Sequence, residues 1–136
     1  MAVHAPEHPH EPIVLDGSNI AHRAGLRDGG FGVLLALEGA LLAAGWEVLV
    51  VVDASLRHRI DTADQELLEE RIDAGWVQVP KGTDADTHVL DEAARLDAWV
   101  VSHDQFRDHP EPPARRIDPA LLGAVPFSEA PVCAAS

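Results

Sequence analysis

Three groups of short polar residues in this 136-residue chain have the types and positions for chemistry. Asp16-Gly17-Ser18-Asn19 follows the apolar run Pro12-Ile13-Val14-Leu15. Asp84 and Asp86 open a helical pattern, and Ser102-His103-Asp104-Gln105-Phe106-Arg107-Asp108 closes a later apolar run. A buried strand ending in a carboxylate delivers it to a rim, and in open α/β sheets ligands bind outside the carboxyl ends of the strands. Acids gathered there repel one another, so either their pKa values rise or a hard cation sits between them. Oxygen-only ligands favour magnesium or manganese. Few protein ligands and several retained waters suit hydrolysis of a phosphodiester by a metal-activated water. Asn19 adds a neutral oxygen or a hydrogen bond. Each acid also has a plainer reading: Asp16 or Ser18 as a cap beside a Gly17 turn, and Asp84 and Asp86 as complements to a helix dipole. The recurrence of acids at three separate connections favours chemistry over capping.

The elements that must position these residues follow from periodicity. Apolar runs at 12–15, 46–52, 76–79 and 98–102 read as parallel strands buried on both faces. Helical patterns cover 33–44, with Gly45 as a stop, 62–74, with Gly75 at its end, and the stretch from Asp84 through Leu96. Glu66, Glu69 and Glu70 form the solvated face of the second. Residues 21–32, with four glycines, are expected to be a loop over the rim, and Gly30-Phe31-Gly32 matches no phosphate-cradling pattern. Strands alternating with helices specify a three-layer α/β/α sandwich with a mostly parallel sheet of four or five strands. Asp108 is expected one helical turn beyond Asp104 if that segment is helical. Asp53, after the second apolar run, reads at least equally as a cap. Residues 1–11 read as a flexible arm, 12–127 as the domain and 128–136 as a disordered tail. Six of ten prolines lie beyond residue 109, leaving room for one turn at Pro119–Leu122 and an edge strand at 124–127.

Ten Lys and Arg against 23 Asp and Glu give a net charge of −13, which argues against indiscriminate binding to nucleic acid or membrane but not against a metal-dependent nuclease. Cys133 is the only cysteine, which excludes an internal disulfide framework and any cysteine-based zinc site. With no apolar run of membrane-spanning length and no signal-like N-terminus, a cytoplasmic location and no membrane association are expected. His22, His88 and His103 fall near the rim but read as hydrogen-bonding neighbours, and Trp46, Trp76 and Trp99 as packing residues.

Taken together, Asp16-Gly17-Ser18-Asn19, Asp84 with Asp86, and Ser102-His103-Asp104-Gln105-Phe106-Arg107-Asp108 resemble the NYN branch of the PIN-like nucleases, whose fold is Rossmann-like. Within it the likeness is closest to the Regnase-type (MCPIP) ribonuclease domain, over roughly Pro12 to Pro110. The resemblance implies Mg2+- or Mn2+-dependent endonuclease activity on single-stranded or stem-loop RNA. It implies Asp16, Asp86 and Asp104 as core metal ligands, supported by Asp84, Asp108 and Asn19, with Ser18, Arg23, Lys81 and Arg107 toward the substrate. Two departures stand out: Ala85 separates two acids that are adjacent in Regnase-type domains, and Lys81 is the only basic residue near that helix start.

The shortage of lysine supports a rival reading, a catalytically weak or inactive PIN-like module that binds a protein partner. A haloacid-dehalogenase-like phosphatase needs a second acid two residues after the first, and position 18 is serine. For a ribonuclease, positive charge must come from a lip of Arg23, Arg27, Arg57, Arg59 and Arg107, joined by Arg115 and Arg116, or from a homodimer or a basic protein partner.

Overall fold

The computed structural model describes residues 5–26 and 29–122. Five strands form one sheet in the order β3-β2-β1-β4-β5: β1 Pro12–Asp16, β2 Glu47–Asp53, β3 Val77–Val79, β4 Trp99–Val101 and β5 Arg116–Ile117. Every pairing is parallel; Val14 sits opposite Leu49 on one side and Val100 on the other. Helices α1 (Gly17–Arg23), α2 (Gly30–Ala44), α3 (Thr62–Asp73) and α4 (Ala85–Leu96) connect and cover the strands.

The two-residue period of the strands divides the core in two. Ile13 and Leu15, Val50 and Val52, and Val101 face Ile20 of α1, Phe31, Leu34, Leu37 and Leu41 of α2, and Leu68 of α3. Val14, Val51 and Val100 face the other way, onto Val89 and Ala93 of α4 and onto Phe106. Both faces are therefore apolar, which is why these strands read as continuous rather than alternating runs. The sheet grows from β1 through β2 to β3 on one side, then restarts with β4 and β5 on the other. The strand order reverses at β1 and β4, and a crevice opens at that point outside their carboxyl ends.

Several sequence expectations shift. Helix α1 begins at Gly17 and runs to Arg23, where a loop was expected from residue 21, and α2 begins at Gly30, three residues earlier than its pattern indicates. Burial of Phe31 against the first core face outweighs the low helix propensity of Gly30 and Gly32. Strand β5 was not anticipated, because two half-buried residues at a sheet edge carry no apolar run. Pro119–Leu122 makes one 3-10 turn. The expected edge strand at 124–127, the tail at 128–136, Arg27 and Cys133 lie outside the described residues. Glu11, counted with the arm, is held by Trp99 Nε1, which donates to its Oε2 at 2.7 Å, and by Arg115 at 3.5 Å. Among the described residues no helix is long and apolar enough to cross a membrane.

Gly17 is fixed by close approach. A Cβ there would lie 2.9 Å from Val50 Cγ1, Val51 O and Val52 Cγ1, so the strand-to-helix turn can press against β2 only without a side chain. Gly17→Ala is expected to cost about 1–3 kcal/mol through overpacking. Urea denaturation measures it, and a midpoint equal to the parent's would show that the turn relaxes freely.

Candidate active site

Asp16 ends β1 and precedes the first residue of α1, yet its side chain makes no capping bond to that helix. It turns into the crevice instead, where Oδ2 accepts a 2.7 Å hydrogen bond from Ser102 Oγ at the end of β4. Asp16 is only 4 % exposed. Burial, with Asp86, Asp104 and Asp53 nearby, pushes its carboxyl up to about 7, against the opposing effect of the Ser102 bond. The plain capping reading therefore does not describe Asp16. Ser18, one position into α1, accepts from the Asp53 backbone N–H at 2.9 Å and ties the helix start to the end of β2.

The turn after β4 is built by short polar residues bonding locally. The Asp104 N–H donates to Ser102 Oγ at 3.0 Å, and Asn19 Oδ1 accepts from the His103 N–H at 2.9 Å. Asp104 Oδ1 accepts from the Phe106 N–H at 2.8 Å, and Phe106 adopts φ 56° with its ring buried. The conditional helix over this segment is thus absent. Asp108 is exposed on the turn that follows, not one helical turn from Asp104.

Helix α4 supplies the third group. Asp84 is its N-cap, accepting from the Asp86 N–H at 3.1 Å and from Thr87 Oγ1 at 2.9 Å. Asp86 in the first turn is half-buried, and its pKa is raised by burial, then by Asp104 and Asp84, with His109 opposing. The structure thus brings Asp16, Asp86 and Asp104 into one electrostatic cluster, with Asp84 at its rim.

Two residues join that sequence reasoning set aside or missed. Asp53 lines the same crevice as Asp16, Asn19 and Asp86, a space of about 210 Å3, while its Oδ1 also caps the next turn through Ser55 N–H at 3.1 Å and Ser55 Oγ at 2.8 Å. His109 places Nε2 3.8 Å from Asp84 Oδ2 and 3.9 Å from Asp86 Oδ2, so the three side chains offer ligand atoms within 4.8 Å of one another. The Phe106 carbonyl accepts from the His109 N–H at 3.1 Å, and the two rings meet edge to face with centroids 6.1 Å apart. The signal was Phe106, a lone large apolar residue in a polar stretch that anchors the turn carrying His109. Of the histidines considered, His22 lines the crevice, while His103 is half-buried with its pKa lowered by burial, Asp118 opposing and Arg23 and Arg116 adding to the effect.

Candidates for substrate contact are spread more widely. Arg23 is exposed at the end of α1, Arg107 is exposed and donates to Gln105 Oε1 at 2.9 Å, and Lys81 borders a neighbouring depression across Asp53. Trp46 and Trp76 are buried, Trp76 Nε1 donating to Glu38 at 2.8 Å, so both are packing residues.

A family profile described as the Zc3h12a-like Ribonuclease NYN domain matches residues 9–118, in agreement with the resemblance carried by the three polar motifs. Thirteen solved chains match in structure. Among them is the nuclear protein-only RNase P 2 of Arabidopsis thaliana, at TM-score 0.55 and 23% identity. That match covers 75% of this chain but only 23% of the plant protein, and at this identity it shows a shared fold. No curated protein matches the chain.

Proposed function

The chain belongs to the Zc3h12a-like ribonuclease NYN domain family, and from that premise we propose that it is a Mg2+- or Mn2+-dependent endoribonuclease cutting single-stranded or stem-loop RNA at the β1/β4 crevice. The observation that carries this reading is Asp16: a carboxyl 4 % exposed and surrounded by Asp86, Asp104 and Asp53. Such a group is unfavourable as an anion unless a cation shares the site, and the all-oxygen set of Asp16, Asp86 and Asp104 fits a hard divalent ion. Asp84 and His109 border the same site, and Asp108 supports it from the adjoining turn. When bound, the cation supplies Lewis acidity, which makes water nucleophilic at neutral pH and offsets charge on the phosphoryl oxygens.

The chain's own residues prepare that chemistry. Ser102 orients Asp16 by donating to it and fixes Asp104 by accepting its N–H. Asn19 pins the same turn at His103 and Asp84 sets the start of α4, so each acid is held by a neighbour rather than by the ion alone. Ser18 frames the crevice through Asp53, while Arg23, Lys81 and Arg107 are the candidates for contacts with the RNA backbone. Mutation of Asp53 to Asn is expected to change activity little, because its carboxylate is already engaged by Ser55; loss comparable to Asp16→Asn would add it to the ligand set.

The net charge of −13 favours a second reading, a partner-binding module with weak or no catalysis. Circular single-stranded RNA, which offers no ends, separates the two. The endonuclease linearises it in millimolar Mn2+ and leaves it intact in EDTA. Intact circles in both Mg2+ and Mn2+ with folded protein would favour the partner-binding module.

A further inference from the structure

The structure sorts the arginines of this acidic chain into two kinds. Arg57 is committed to Glu69 and to Gln78, Arg95 to Glu92, and Arg115 to Glu11 and Asp97 while lying 5.2 Å from the centroid of the Trp99 ring. Arg23, Arg59, Arg71, Arg107 and Arg116 have no carboxylate within ion-pair distance among the described residues. With 23 acids in the chain, partners are plentiful, so the places where arginines stand without one are informative.

Three of the five border the acid cluster, Arg59 within the crevice and Arg116 and Arg23 beside Ser102 and His103 at its other side. Arg59 follows the turn after β2 and lines the crevice with Asp16, Asp53 and Asp86. Arg116, on β5, donates from Nη1 to the Ser102 carbonyl at 2.6 Å, seating its guanidinium behind the serine that holds Asp16. That bond uses one of five N–H groups in a planar fork suited to a phosphate. Arg23 lies on the same side, near enough to His103 to act on it together with Arg116. The acids at β1 and β4 sit between these two groups in the strand order.

We propose that Arg59 on one wall, and Arg23 with Arg116 on the other, hold phosphates of a single RNA strand on either side of the acids, so that the strand crosses the carboxyl edge of the sheet from the β2 side to the β5 side. From β2 to β5 is three strand spacings, roughly 14 Å, which leaves room for the scissile phosphate between its neighbours. Arg57 and Arg115, committed to carboxylates, take no part. The proposal rests on the ribonuclease reading above.

The test measures binding of a labelled, unstructured oligouridine to Asp16→Asn protein over a series of KCl concentrations at constant Mg2+. Cleavage by the wild-type protein is followed in parallel. Arg23→Ala, Arg59→Ala and Arg116→Ala, each added to Asp16→Asn, are expected to weaken binding and to flatten its logarithmic salt slope by ~0.7 per lost phosphate contact. Arg95→Ala, which removes the same charge away from the crevice, leaves the slope unchanged. Arg23 and Arg59 are exposed, so their variants keep the test independent of whether Arg116→Ala folds. If the wild type cleaves while the three slopes match that of Arg95→Ala, this path is wrong and the ribonuclease reading stands. If the wild type does not cleave and the oligouridine does not bind, both fall.

Discussion

Replacing Asp16 with asparagine is expected to stabilise the metal-free protein at pH 8 while abolishing cleavage. Burial and three neighbouring acids move this carboxyl from its ordinary 3.8 to about 7. Between those values the native state keeps a proton that the unfolded chain has released, so it binds more protons and the unfolding free energy falls as pH rises. The loss levels off above about pH 7, where its full size is on the order of 4 kcal/mol. Asparagine keeps an oxygen to accept the Ser102 hydroxyl and carries no charge, so the variant escapes this loss. A gain of about 2–4 kcal/mol at pH 8 is expected, shrinking as the pH approaches 4. Urea midpoints of both proteins at pH 5 and pH 8 measure it. A variant less stable than wild type at pH 8 would mean that Asp16 is not under electrostatic strain there.

The second large effect is stabilisation by the cation. A ligand that binds only the folded state contributes about 2.7 kcal/mol when its free concentration is 100 times Kd, or ~8 °C in Tm for a domain of this size. The ion must displace the proton that Asp16 holds below about pH 7, so the shift should grow from pH 5 to pH 8. Melting curves with and without millimolar Mn2+ check this. A shift that is equal at both pH values, or equal in Asp16→Asn, would place the ion away from Asp16.

The parts of this protein that were legible in its sequence are those fixed by local pattern. Strands β1 to β4 stand out because a parallel sheet covered on both faces demands continuous apolar runs, as in Val48 to Val52. The acids were legible because each sits where such a run or a helix pattern changes. What was not legible depends on bonds between distant residues or on unusual backbone. The turn after β4 escapes helix because Asp104 accepts the Phe106 N–H and Phe106 takes a left-handed conformation. That one turn removes Asp108 from its expected place and brings His109 to Asp84 and Asp86. The start of α2 depends on Phe31 finding its core, and β5 on its pairing with β4. The sorting of arginines is tertiary as well: Arg115 pairs with Glu11, 104 positions away. A list of basic residues near the motifs could not separate it from Arg116.

The most direct test of the central claim, that the crevice acids hold a divalent cation in the service of RNA cleavage, is an Mn2+ titration of cleavage. The rate at which labelled single-stranded RNA is cut by wild type, Asp16→Asn and Asp104→Asn is followed, with circular dichroism on each protein. The account predicts a wild-type rate that rises with Mn2+ to saturation and vanishes in EDTA, with loss of at least 100-fold in both variants while their helical spectra persist. Cleavage that continues in EDTA, or in folded Asp16→Asn at the wild-type rate, would contradict it.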